Sequence, residues 1–134
     1  MTFPLNYGLY QAGLPLIVVK IFEHDICLML DTGSNRNIID NRLYDHFKDK
    51  LTQPVTSSEV ITLNGTATGA TINIPFNFEN KDYQEPFLCT EQTEVFDKIN
   101  DESGIQIHGI LGNNFFLKHG WILDFDKVTV YQYN

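Results

Sequence analysis

Several features are scarce in this sequence of 134 residues, and each scarcity narrows what the protein can do. It has only two cysteines, Cys27 and Cys89, which are too few for a disulfide scaffold and stand among apolar residues, so free buried thiols are favoured over a bridge. No apolar run reaches the roughly 18 residues that a membrane span needs. The longest run covers residues 14–19, contains Pro15 and ends before Lys20. We therefore expect no membrane association.

Positive charge is also scarce. Nine Lys and Arg residues stand against 17 Asp and Glu residues, which gives a net charge of −8. Without a basic surplus the chain has no electrostatic means of capturing nucleic acid, so no nucleic-acid partner is expected. The first residues lack the basic segment and small-residue cleavage site of a secretory signal, which makes the cytoplasm the default location. A signal that has already been removed stays an open alternative.

The composition is that of one globular domain. The sequence is 43% hydrophobic and 19% charged, and it contains no repeat, low-complexity tract or linker that would divide it. A chain of this length can bury a core of its own. We therefore predict a single domain over residues 1–134.

Short apolar segments separated by turn residues predict a mostly β fold with one or two short helices. The predicted strands cover residues 16–22, 26–30, 60–63, 70–78, 83–89, 105–111, 121–125 and 128–133, with turns near 23–25 and 126–127. Helical segments are predicted after Asp40 or Asn41, either of which can cap a stripe of Leu43, Phe47 and Leu51, and over 93–100 and 113–119. Gly120 suits the position that ends the last helix, and Pro86 indicates an edge or irregular place for its strand.

Residues 60–78 predict a hairpin. Ile72, Ile74, Phe76 and Phe78 alternate with polar residues, which turns one face of the second arm inward. The predicted tip runs from Asn64 to Gly69 and is small and glycine-punctuated. Its first three residues, Asn64-Gly65-Thr66, also form a glycosylation sequon, but without a secretory signal the turn interpretation is preferred.

Two motifs carry the chemistry. Asp31-Thr32-Gly33-Ser34 follows an apolar strand directly, and about eighty residues later Ile110-Leu111-Gly112 precedes the helical segment that starts at Asn113. Alone, Asp-Thr-Gly is consistent with a solvated turn in which Asp31 bonds its own backbone. The order in which the two motifs, the hairpin and the closing strands occur is more informative than either motif.

This order resembles the retropepsin-like aspartic proteases, the single-domain family that includes retroviral and retrotransposon proteases and bacterial relatives. Members have a strand, Asp-Thr-Gly-Ala/Ser, a second strand, a flap hairpin, a hydrophobic-hydrophobic-Gly motif, a short helix and a closing strand. All occur here in that order between about residues 16 and 125. The resemblance implies a closed β-barrel with residues 60–78 as the flap. It also implies an aspartic endopeptidase that acts on peptide or protein substrates without a cofactor or a metal.

The implied reaction needs two facing carboxylates. Two like charges held close together cannot both ionise, so one carboxylate stays protonated while the other activates a water molecule. The sequence holds one Asp-Thr/Ser-Gly motif, whereas Asp124 and Asp126 belong to a predicted turn. A homodimer with Asp31 from each subunit is therefore required for activity.

The resemblance assigns supporting roles by position. The Thr32 hydroxyl is expected to bond across the dimer, although a local backbone bond is the alternative. Gly33 lets the backbone approach the substrate, Ser34 offers a hydroxyl toward the carboxylates, and Gly112 passes tightly beneath the Asp31 loop. In the flap, Asn64, Gly65, Thr66, Ala67 and Gly69 are the candidate substrate-binding residues.

Two departures from the retroviral pattern bear on these roles, and the role of the last strand is open. An acidic residue and an arginine that pair in retroviral members correspond here to Asn35 and Asn113, which could form a neutral amide pair instead. The flap tip has fewer glycines than theirs. The strand over 128–133 is either an interface strand between subunits or an ordinary edge strand.

Other chemistries find little support. The four histidines lack the spacing of a zinc site, Ser34 has no recognisable base, and no glycine loop would cradle a phosphate. The departures motivate one alternative, a non-catalytic dimeric module that retains the fold and binds a peptide or a partner. Candidate residues for lining or supporting apolar subsites are Leu30, Ile39, Ile61, Leu63, Ile72 and Ile110.

Overall fold

The computed structural model describes residues 1–51, 56–62 and 65–133, and within them strands predominate. The strands are β1 (Thr2–Pro4), β2 (Leu16–Ile21), β3 (His24–Leu30), β4 (Ile38–Asp40), β5 (Thr56–Thr62), β6 (Gly65–Phe78), β7 (Lys81–Thr90), β8 (Gly109–Leu111), β9 (Trp121–Asp124) and β10 (Thr129–Gln132). The helices are α1 (Asn6–Ala12), α2 (Asn41–Phe47), α3 (Thr93–Ser103) and α4 (Asn113–His119), and a 3₁₀ turn covers Lys48–Lys50. No helix in these ranges is long and apolar enough to cross a membrane.

Six strands close into a barrel. They follow the order β2-β3-β8-β4-β7-β6, and Lys20 of β2 pairs with Asn77 of β6 to complete the ring. β5 adds to the outer edge of β6. The prediction of a mostly β fold with a closed barrel is therefore confirmed.

The core follows from the alternation along the strands. The alternating apolar residues of β6 are each at most 3% exposed, which confirms the inward face predicted for the second arm of the hairpin; they are Ile72, Ile74, Phe76 and Phe78. Ile17, Val19 and Ile21 of β2 pack into the same core cluster. Both cysteines are free; Cys89 is buried and Cys27 is half-buried. Among the subsite candidates, Leu30, Ile39 and Ile72 are buried in this cluster, and Ile110 is buried in a second apolar cluster.

Two-residue turns join the long hairpins. Phe22-Glu23 links β2 to β3, and Glu79-Asn80 links β6 to β7, with all four residues at positive φ. Such turns match the twist of the strands that they join. The turn predicted over 23–25 is thus displaced, because His24 and Asp25 already pair with β2.

The predicted flap tip is wrong over most of its length. β6 begins at Gly65, which pairs with Thr62, and Ala67 and Gly69 pair with Val60 and Ser58. The hairpin is longer than 60–78, because β5 starts at Thr56. Asn64 and Leu63 lie outside the described residues.

A second sheet corrects the alternatives given for the last strand. Its order is β1-β10-β9, so β10 is the central strand and has a neighbour from its own chain on each side. Val130 in β10 is fully buried. β10 is therefore neither an edge strand nor a strand left open for another subunit.

Several other elements also differ from the prediction. β8 covers only Gly109–Leu111 of the strand predicted over 105–111. β7 is an internal strand, contrary to the edge position that Pro86 indicated. Proline is tolerated there because β4 pairs with β7 only from Leu88 onward, so no strand faces the missing N–H. Helix α1 was not predicted.

Candidate active site

Asp31 stands directly after β3, where the parallel pair β3–β8 ends. Its N–H donates to the carbonyl of Leu111 at 2.9 Å, so the two sequence motifs meet at the end of this pair. Leu30 and Leu111, which pair across the two strands, are both buried. The apolar strand therefore holds the backbone of Asp31 firmly while the loop that follows is open to solvent.

The loop turns on its own hydrogen bonds. Asp31 Oδ1 accepts the N–H of Gly33 at 2.8 Å, and the Asp31 carbonyl accepts the N–H of Ser34 at 3.2 Å. Thr32 and Gly33 are exposed, and Asp31 is half-buried. The turn geometry expected of Asp-Thr-Gly is present, and it leaves a carboxylate at an accessible surface.

The hydroxyls of the loop have different environments. Ser34 Oγ donates to the Arg36 carbonyl at 2.6 Å and accepts the Arg36 N–H at 3.3 Å, so its proton is held within the loop rather than offered to Asp31. The Thr32 hydroxyl makes no hydrogen bond within the described part of the chain. Its bond across a dimer stays a prediction.

Asn113 secures the loop from the start of α4. Its Nδ2 donates to the Thr32 carbonyl at 2.6 Å, and its N–H donates to the Ser34 carbonyl at 2.8 Å. The amide pair expected between Asn35 and Asn113 is therefore absent: Asn113 bonds backbone, and Asn35 is exposed without a hydrogen bond to any described residue.

Helix α4 is in turn fixed to the barrel by a buried carboxylate. Glu85 in β7 accepts a hydrogen bond from Lys118 Nζ at 3.1 Å and contacts His119 Nε2 at 2.5 Å. His119 also packs against Phe115 and Tyr83. His119 therefore has a structural role, because these contacts orient the helix that carries Asn113.

Asn37 is a buried residue that the sequence analysis did not single out. Its side chain is 1% exposed; Oδ1 accepts the N–H of Gly112 at 3.0 Å and Nδ2 donates to the Pro86 carbonyl at 3.2 Å. An asparagine immediately before the apolar pair Ile38-Ile39 is the one signal that could have drawn attention to it.

Gly112 shows the close approach predicted for it. A Cβ atom at this position would lie 2.5 Å from the Arg36 carbonyl oxygen and 2.8 Å from that of Ser34. These are backbone atoms, which cannot swing away as the end of a side chain can. Any other residue would therefore push the loop outward.

The flap residues are only partly placed. Gly65, Thr66, Ala67 and Gly69 belong to β6, and all four pair with residues of β5. Asn64 lies outside the described residues. Their contact with a substrate stays a prediction.

The thiols are unsuited to nucleophilic chemistry. Burial raises the pKa of both Cys27 and Cys89 to about 11, so neither is a thiolate near neutral pH. Among the described residues no three His, Cys, Asp or Glu side chains are grouped to hold a metal ion.

Comparison with known proteins supports the fold. No family model and no curated protein matches the sequence. Among solved structures, the retroviral protease-like domain of Ddi1 from Leishmania major superposes with a TM-score of 0.58 at 10% identity, covering 90% of this chain and 89% of that one. EIAV protease complexed with the inhibitor HBY-793 gives a TM-score of 0.59 at 15% identity, covering 80% and 88%. The chain has a retropepsin-like fold.

Proposed function

We propose that the protein is an aspartic endopeptidase whose active site forms when two copies bring their Asp31 carboxylates together. The observation that supports this most directly is the placement of Asp31: its backbone is held by Leu111 and its loop by Asn113, while its carboxylate remains accessible. The solved EIAV protease, which has a similar fold, is described as bound to an inhibitor.

The proposed reaction uses one proton shared between the two carboxylates. The ionised Asp31 takes a proton from a water molecule while the oxygen of that water bonds to the peptide carbonyl carbon. The protonated Asp31 donates its proton to the carbonyl oxygen. The tetrahedral intermediate then collapses: the C–N bond breaks, and the nitrogen leaves with a proton returned from the pair. One water molecule is consumed for each bond cleaved, and the two carboxylates end the cycle sharing one proton, as they began.

Cleavage of a mixed peptide library between pH 4 and 8, read by mass spectrometry, tests the proposal. Asp31→Asn should abolish cleavage. Asp25→Asn is the matched control, because Asp25 is a surface residue of β3 whose ion pair within the described residues is with exposed Lys20. Cleavage that persists in Asp31→Asn, or no cleavage by a protein shown to be dimeric, would count against the proposal.

A non-catalytic binding module is the second candidate, and the side chain of Asn35, which bonds no residue in the described part of the chain, favours it. With Asn113 committed to the Thr32 carbonyl, Asn35 retains its full hydrogen-bonding capacity for a ligand. A statine-type transition-state mimic discriminates between the two functions, since it needs the intact carboxylate pair. Failure to bind it, together with peptide binding that survives Asp31→Asn, would favour the module.

A further inference from the structure

We propose that a small pocket beside the Asp31 loop binds an acidic side chain of the peptide substrate, with Arg36 as the residue that selects it. This inference rests on the proposed function and names a class of substrate for it. The pocket, called here the amide pocket, has a volume of about 170 Å³. Its lining includes Asn35, Arg36, Asn37, Pro86, Leu88 and Asn114.

The charge of the amide pocket is unusual for this protein. The chain carries a net charge of −8, yet among the described residues that line the pocket none is acidic and one is an arginine. Arg36 makes no ion pair within the described residues. The second arginine, Arg42, is by contrast held by Asp40 at 2.8 Å and Asp97 at 3.0 Å.

The neighbouring amides add hydrogen-bond donors. Asn35 and Asn114 are exposed, and neither side chain bonds any described residue. Asn37 is different, because its amide is committed to Pro86 and Gly112 and so forms a fixed wall. An arginine beside two free amides is suited to a carboxylate, which accepts several hydrogen bonds at once.

The position of the pocket connects it with the proposed chemistry. Asn35, Arg36 and Asn37 continue the loop that begins at Asp31, and the Arg36 backbone is held there by Ser34 Oγ. An extended peptide lying over Asp31 would present its other side chains along this loop. A glutamate or aspartate near the cleaved bond is therefore the expected recognition element.

Paired peptides test the inference. A set of short peptides carries a single glutamate that is moved from one position to the next. For each peptide, kcat/KM is compared with that of the same peptide with glutamine in place of the glutamate. A charge-assisted hydrogen bond predicts a preference of about tenfold for glutamate at one position. Arg36→Gln should remove that preference, and Arg36→Glu should reverse it toward lysine. Lys98→Gln is the control for general attraction, since Lys98 is an exposed cation of α3 without an ion pair in the described structure.

Binding separates this inference from the protease proposal. Fluorescence anisotropy with the labelled peptides on the Asp31→Asn protein reports the pocket without any cleavage. A glutamate preference that depends on Arg36, without cleavage by the unaltered protein, would keep the pocket and overturn the protease. Asp31-dependent cleavage with the same kcat/KM for the glutamate and glutamine peptides would support the protease and overturn the pocket. Equal binding of both peptides, or a preference unchanged by Arg36→Gln, overturns the pocket.

Discussion

Asn37 shows how one buried amide joins three separate parts of the chain. It follows the Asp31 loop, accepts from Gly112 at the start of α4 and donates to Pro86 in β7. Removing one partner of a buried hydrogen bond costs more than the bond itself contributes, because the remaining group stays unsolvated. The loop therefore depends on a residue whose amide is already committed to the backbone on both sides.

Replacement of Asn37 by alanine leaves the Gly112 N–H and the Pro86 carbonyl without this partner. We expect Asn37→Ala to lower the free energy of unfolding by about 2–4 kcal/mol, measured by urea denaturation. Asn35→Ala is the matched control and should change it by less than about 0.5 kcal/mol. Equal losses in the two variants would show that the Asn37 bonds contribute no net stability.

Gly112 tests the loop itself. Gly112→Ala forces the Ser34 and Arg36 carbonyls outward, so we expect peptide cleavage to fall by at least about tenfold, as small displacements in an active site do. Gly104→Ala is the control: nothing lies within 4 Å of its added Cβ, but its φ of 78° makes the substitution cost roughly 1–2 kcal/mol. The control should lose stability and keep its kcat/KM. If Gly112→Ala left cleavage unchanged, the close approach of Gly112 to the Asp31 loop would not be needed for activity.

At the scale of elements, a buried aspartate attaches α3 to the barrel. Asp40 is fully buried at the end of β4 and accepts hydrogen bonds from Arg42 Nε, the Gln92 N–H and the Thr93 hydroxyl. Burial raises the pKa of its carboxyl, but the bonds from Arg42, Gln92 and Thr93 outweigh burial and hold the pKa below its ordinary value. Asp40, which was predicted to cap α2, therefore binds residues at the start of α3 instead, and α2 has no side-chain cap.

This arrangement predicts an acid-sensitive contribution to stability. A carboxyl whose pKa is lowered by folding stabilises the protein above the pKa of the unfolded chain, near 4, and loses that contribution as the pH falls through the folded pKa. Unfolding free energies measured from pH 2 to 6 should therefore decline less steeply in Asp40→Asn than in the unaltered protein. Asp101→Asn, an exposed change on α3, should retain the full decline. Parallel curves for Asp40→Asn and the unaltered protein would contradict the assignment.

Elements with a regular apolar period were predictable, and those fixed by distant partners were not. The arm ending at Phe78 and the helix ending at Gly120 follow from local pattern and capping. Helix α1 has no such pattern: Tyr7 and Tyr10 are exposed, and its buried residue is Gly8. Likewise Asp31 was identified from its motif, whereas the bonds of Asn113 and Asn37 span 81 and 75 residues of sequence, so no local pattern indicates their partners.

For the whole molecule, the proposed site belongs to two chains at once. Mixing the unaltered protein with an equal amount of Asp31→Asn, at constant total concentration, leaves about a quarter of randomly exchanged dimers with two Asp31 carboxylates. Activity should therefore fall to about a quarter of the starting value, whereas independent monomers would retain about half. Asp25→Asn in the same experiment should leave activity unchanged.

The pairing of β1 with β10 also has a consequence for the order of folding. Phe3 and Val130 are partners, so this contact closes nearly the whole chain into one loop. Contacts of such high sequence separation form late, because closing a long loop costs conformational entropy before the contact contributes any stabilisation. Substitutions in β1 should thus accelerate unfolding and leave the folding rate almost unchanged. During synthesis on a ribosome, β1 would emerge well before β10 and would remain unpaired until its partner strand had been made.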